Sequence, residues 1–200
     1  MKRAYYSSTI YDFCKQAPDQ VLGEIAREHS FDLTAFQRDA WIEQTALLRD
    51  ILLDHKGKIY FEFSIPRMGR RIDAVVIIGS AVFVIEFKVG ASAYEAADLD
   101  QVMDYALDLH NFHEGSHHAT LVPILVATKA PAIDNQLDAL PVDGIFSPVC
   151  CNNGNSCFIN SIAICHGSYS RIFIYIIQLR TFCCICGFLC LHCCTIGCIC

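Results

Sequence analysis

The sequence predicts an α/β domain with the element order αβββαβ and a mixed central sheet, followed by an atypical Cys-rich tail. Three observations carry this. Helix-length stretches with apolar residues at three- and four-residue steps flank a run of three short segments rich in β-branched and aromatic residues. Two of those segments, residues 72–78 and 81–88, are apolar almost without interruption, as strands covered on both faces are. The chain also changes character after Asp143: all 21 acidic residues lie at or before it, and 12 of the 13 cysteines lie from Cys150 onward.

The elements follow in order. Residues 6–30 are read as a short helical segment, opened by Ala17-Pro18-Asp19 and striped by Val21, Leu22, Ile25 and Ala26. A second helix is predicted over residues 32–53, where Phe36, Ala40, Trp41, Ala46, Leu47 and Ile51 recur at helical steps. Lys58-Ile59-Tyr60-Phe61-Glu62-Phe63 reads as the first strand, and Pro66-Arg67-Met68-Gly69-Arg70-Arg71 as a turn. Residues 72–78 and 81–88 form the next two strands, joined at Gly79-Ser80. Gly90 ends the run. A helix is predicted over residues 94–112, with Leu99, Val102, Met103, Ala106, Leu107 and Leu109 inward and Asp98, Asp100, Asp104 and Asp108 outward. Residues 121–128 read as another strand, and Gly144-Ile145-Phe146 as a short final one.

Composition narrows the classes of function. The 200 residues suffice for one domain with a real core, here expected over residues 1–149. A hydrophobic share of 54% excludes a fully disordered chain. The net charge of −6 excludes a broadly basic nucleic-acid coat, so any such binding must use a local patch. No apolar run follows Met1-Lys2-Arg3, so no secretory signal is read and a cytoplasmic location is expected. The lone Cys14 among the first 149 residues agrees with a reducing compartment.

The tail, residues 150–200, admits three readings. Cys183/Cys186 and Cys190/Cys193 have a metal-ligand spacing, but their neighbours are Ile, Phe and Leu rather than polar turn residues. Residues 181–200 carry no formal charge and match the length of a membrane span. The favoured reading is an out-of-frame or non-native extension. The 57 residues from Gly144 on contain no Asp, Glu or Lys, whereas average usage would give about 7 acids.

The chemistry is expected where polar residues interrupt the apolar strands. Asp73 lies one residue into a buried run, and Glu86 and Lys88 lie at the end of the next, both on one sheet face. Buried charge must be paired or bound to metal. Two carboxylates and an ammonium suit a hard cation, Mg²⁺ or Mn²⁺, with the lysine orienting or deprotonating a water for attack at phosphorus. Arg67, Arg70 and Arg71, in the loop before Asp73, are candidate phosphate contacts. His113, Glu114, His117 and His118 have metal-like spacing but fall in a Gly/Ser loop and are read as solvated.

Asp73…Glu86-Phe87-Lys88, with Gln101-Val102-Met103-Asp104-Tyr105 on the following helix, resembles the motif of the PD-(D/E)XK nuclease superfamily. The residue before Asp73 departs from the family pattern: Ile72 stands where the nominal proline would be. Residues 41–128 further resemble the N-terminal nuclease-like domain of bacterial proteins that continue into a helicase-like P-loop ATPase. No G-x-x-x-x-G-K-[ST] occurs here, so ATP dependence does not carry over, and the missing ATPase portion would be a partner. The resemblance implies a restriction-endonuclease-like core and Mg²⁺-dependent hydrolysis of phosphodiester bonds in DNA. It implies metal ligation by Asp73 and Glu86, catalysis by Lys88, and site-proximal roles for Gln101 and Tyr105. It also implies a further acid from the first core helix, for which Glu43 is the candidate, with Glu62 as the alternative. A catalytically inactive nucleic-acid-binding or partner-docking module, and a membrane-tethered gene fragment, are the competing expectations.

Overall fold

Residues 3–29, 34–65, 69–133 and 141–153 are described by a computed structural model. They form an α/β fold around one six-stranded mixed sheet. The strands are β1 (Tyr6–Thr9), β2 (Lys58–Ser64), β3 (Arg71–Ile78), β4 (Ala81–Lys88), β5 (Thr120–Ala127) and β6 (Val149–Cys151), ordered in space as in sequence. Pairing is antiparallel from β1 to β4 and parallel from β4 to β6. Helices α1 (Ile10–Lys15), α2 (Pro18–Glu28) and α3 (Ala35–Leu52) precede β2, and α4 (Ala96–Phe112) makes the crossover from β4 to β5.

Two elements differ from the sequence expectation. Residues 6–9, placed within a helical segment, form the edge strand β1, with Tyr6 opposite Phe61. Helix begins only after Thr9, whose Oγ1 accepts from the Asp12 amide at 3.1 Å. That side-chain cap satisfies an orphan donor and fixes where strand gives way to helix. Residues 144–146, expected as the last strand, contribute only isolated bridges, from Ile145 to Leu121 in parallel and to Val142 antiparallel. Among the described residues the last strand is β6, which carries the buried Cys150 and Cys151 into the sheet. Arg67 and residues 154–200, including the cysteine spacings and the uncharged stretch, lie outside the described residues. Among the described residues, no helix is long and apolar enough to cross a membrane.

The sheet has a core on each face. On one, Ile10, Phe13, Ile25, Trp41 and Leu48 of α1–α3 meet Phe61, Ala74, Val76, Phe83 and Ile85. Phe13 and Phe61 approach at 5.7 Å between ring centroids. On the other, Val102, Tyr105, Ala106 and Leu109 of α4 meet Val75, Val82, Val84 and Leu125. Each fully buried large side chain contributes about 1.5–3 kcal/mol, so both layers are needed to hold the strands at fixed height. A truncation such as Phe61→Ala should cost about 3–5 kcal/mol.

The regular alternation slips at one level of the sheet. Phe61 packs in the first core, yet Phe63, two residues on, packs in the second. Ala74 and Ile72 on β3 are split in the same way. Between them the β2–β3 register skips Glu62 and Asp73. Glu62 adopts φ +53°, a left-handed conformation that costs a non-glycine residue about 1–2 kcal/mol. The kink turns both acidic residues out of the plain ladder.

Candidate active site

Asp73 is set by the end of a ladder. β3 and β4 pair from Ile78↔Ala81 to Ala74↔Ile85 and no further. Beyond that point the Phe87 amide donates to Asp73 Oδ2 at 2.8 Å. A side chain thus replaces a strand carbonyl, and the two strands separate where Glu86 and Lys88 emerge. Glu86 and Lys88 share the face covered by α4, as their spacing of two predicts.

The first turns of α4 complete the cluster. Lys88 Nζ lies 3.2 Å from Glu86 Oε1 and 3.2 Å from Asp98 Oδ1. It also donates to Gln101 Oε1 at 2.9 Å. The Gln101 amide nitrogen donates to Glu86 Oε1 at 2.9 Å and lies 2.7 Å from the Tyr105 hydroxyl. Gln101 and Tyr105, four residues apart, therefore meet the strand from one helix face. Gly90, at φ +81°, turns the chain just after Lys88, and its amide donates to Thr128 Oγ1 at 2.9 Å. That bond joins the segments just past β4 and β5, beyond their last pair, Lys88 and Ala127.

The electrostatics are those of a crowded acidic centre. Burial pushes the Asp73 carboxyl well above its usual range, and the neighbouring Glu86 pushes it further. Glu86 is also raised, first by burial, against the lowering pull of Lys88. Burial alone would lower Lys88, but Glu86 and Asp98 more than offset it and hold the ammonium above its ordinary value. A lysine so held keeps its proton at neutral pH. It suits charge stabilisation and orientation of a water better than proton abstraction.

The donor set fits a hard cation. Glu86 is 6% exposed, and its Oε2 is buried without a hydrogen-bond partner. Beside it stands the raised carboxyl of Asp73. A divalent ion would relieve both the repulsion and the orphaned oxygen. Among the described residues, no three His, Cys, Asp or Glu side chains gather closely enough to cage an ion. Asp73 and Glu86 would then be two protein ligands, with water and substrate oxygens completing the shell, as Mg²⁺ prefers.

A cleft of about 830 Å³ opens beside this cluster, lined by Asp73, Glu86, Lys88 and Asp98 together with Glu62, Arg71 and residues of α3. The candidates from sequence divide accordingly. Arg71 lines the cleft, donates to the Glu62 carbonyl at 3.1 Å and stacks over the Tyr5 ring at 4.1 Å. Arg70 lies 3.7 Å from Asp104 on α4 and does not line it. Tyr105 is buried in the second core and reaches the centre through Gln101. Glu43 is half-buried and away from the lining; its neighbour Gln44 lines the cleft, 5% exposed, with Oε1 lacking a partner. Glu62, the alternative acid, accepts from the Trp41 indole at 3.0 Å and is raised by burial. Sequence reasoning had no site role for Asp98, Trp41 or Gln44. Asp98 had a signal, standing three residues before Gln101 on α4 and so on the same side of the helix.

No protein-family model matches the chain, and no curated protein or solved structure matches it either.

Proposed function

We propose that this chain carries a restriction-endonuclease-like core and acts as a divalent-metal-dependent nuclease on phosphodiester bonds in DNA. The observation that carries this reading is the convergence at one strand end. Asp73, Glu86 and Lys88 share a cleft, and Gln101 bridges the glutamate and the lysine. Asp73 and Glu86 would hold Mg²⁺ or Mn²⁺, which supplies charge stabilisation at a phosphate oxygen and a more acidic bound water. Lys88 orients the attacking water and offsets the charge that develops on the phosphoryl oxygens. Gln101 fixes the Lys88 ammonium and Glu86 Oε1 relative to each other, and Tyr105 fixes Gln101. Arg71 contacts a phosphate of the strand. The test is cleavage of labelled DNA with and without Mg²⁺. Cleavage that needs Mg²⁺ and fails in Asp73→Asn supports the reading, and metal-independent or absent cleavage counts against it.

One observation favours a second reading. Lys88 already lies within salt-bridge distance of two carboxylates, Glu86 and Asp98, so the cluster could serve as a structural ion network in a nucleic-acid-binding or docking module. DNA binding without cleavage in Mg²⁺ would select it.

A further inference from the structure

The centre explains only part of the cleft. Helix α3 contributes Phe36, Gln37, Ala40, Trp41 and Gln44 to the lining, steps that fall on one helix face. Phe36 is 72% exposed although it is a large apolar ring. Its position is fixed by the start of the helix. Thr34 caps α3, with its Oγ1 accepting from the Gln37 amide at 3.2 Å, so Phe36 sits in the first turn, ahead of the core residues Trp41 and Leu48. The volume, about 830 Å³, lies within the range of pockets that enclose a small ligand. It exceeds what a hydrated ion and one phosphate group require.

We propose that this cleft takes an unpaired nucleotide of a DNA strand, with its base stacked on Phe36 while its backbone lies against Arg71 and Lys88. The proposal rests on the reading of the centre as a phosphodiester site and adds a substrate class to it. A ring on a cleft wall meets the full face of a base most readily when that base is unpaired, because a duplex stacks its interior ring faces on one another. The chemistry of the lining is split to match. Phe36 offers an apolar ring face, Arg71 and Lys88 offer cationic contacts to the backbone, and the carboxylates Glu62, Asp73, Glu86 and Asp98 beside them need the divalent ion to admit a phosphate. The Arg71 guanidinium is braced by the Tyr5 ring, which lines the same cleft. A bare protein-docking patch would not need cations and a carboxylate centre beside its exposed ring.

The test uses the full chain in reducing buffer with millimolar Mg²⁺. The probe is a DNA oligonucleotide with non-cleavable linkages that carries a fluorescent adenine analogue quenched by stacking. Single-stranded probe should bind at least about tenfold more tightly than the same sequence as a duplex, with quenching. Phe36→Ala should abolish the quenching and weaken single-strand binding on the order of tenfold, and Phe36→Trp should restore both. Equal affinity for duplex, or quenching and affinity unchanged in Phe36→Ala, would overturn the proposal. On the same oligonucleotide made with ordinary phosphodiester linkages, Mg²⁺-dependent cleavage that ignores Phe36 would overturn the stacking site and leave the nuclease reading standing. Phe36-dependent quenching with no cleavage would support the stacking site and remove the nuclease reading.

Discussion

The Asp73 carboxylate accepts the Phe87 amide at 2.8 Å, at the level where β3 and β4 cease to pair. One side chain therefore both closes the ladder and faces the cleft. The two duties separate on substitution. Asp73→Asn keeps a carbonyl oxygen for the amide and removes the charge, whereas Asp73→Ala leaves the amide unsatisfied, at about 1–3 kcal/mol. Without divalent metal, Asp73→Asn should melt at or above the wild-type temperature and Asp73→Ala well below it. Mg²⁺ should raise the wild-type melting temperature and neither variant's. Equal losses in both variants would show that the acceptor role is wrong.

Stability should depend on pH through the same cluster. Asp73 and Glu86 are both raised above their ordinary values of 3.8 and 4.5, chiefly by burial. A carboxyl raised by folding takes up protons as the chain folds. Its stabilising contribution is full below the unfolded pKa and is lost as pH climbs through the raised folded value. Metal-free protein should therefore lose stability as pH rises from the ordinary carboxyl values of 3.8 and 4.5 through the raised ones, and the double variant Asp73→Asn, Glu86→Gln should lose less. Thermal melts across that range in chelator decide the point; a wild type that gains stability over it would contradict the assignment.

Glu62 carries a backbone cost that ordinary strand residues do not. At φ +53° glycine is the residue that fits without strain. In most strands Gly is worse than Ala. Here the order should invert. Glu62→Ala keeps the strain and loses the bond from Trp41, while Glu62→Gly loses the bond and relieves the strain, and so should be more stable by about 1 kcal/mol. Denaturant melts followed by Trp41, the single tryptophan, measure this directly. Glu62→Ala as the more stable variant would remove strain from the account.

Arg70, in the β2–β3 connection, and Arg71, the first residue of β3, should behave differently. Arg71 lines the cleft, whereas Arg70 pairs with Asp104. Arg71→Ala should weaken DNA binding and reduce its salt dependence by about one phosphate contact, and Arg70→Ala should do less of both. A salt titration of each variant checks the order.

Much of the centre was legible because strand geometry is strict. A spacing of two put Glu86 and Lys88 on one face, and a spacing of four put Gln101 and Tyr105 on another. The parts that were not legible turned on single-residue angular steps. Neighbours on a helix differ by about 100°, and the alternation that would choose between Glu43 and Gln44 requires knowing how α3 is rotated on the sheet. The slip at Glu62 and Asp73 is likewise a tertiary event, since Lys58–Ser64 reads as plain alternation. β1 has only four residues and runs straight into α1, so the helical pattern of residues 10–28 masks it. β6 pairs in parallel with a strand more than twenty residues earlier, and no local turn announces it.

On the proposed function, Lys88 acts in the chemistry of a phosphodiester centre rather than as a structural ion pair. Single-turnover cleavage of labelled DNA in Mg²⁺ by the wild type and Lys88→Ala separates the two roles. The wild type should cleave and the variant should lose about a hundredfold or more in rate, with single-strand binding weakened far less. A Lys88→Ala protein that cleaves at the wild-type rate would leave Lys88 a structural ion pair and nothing more.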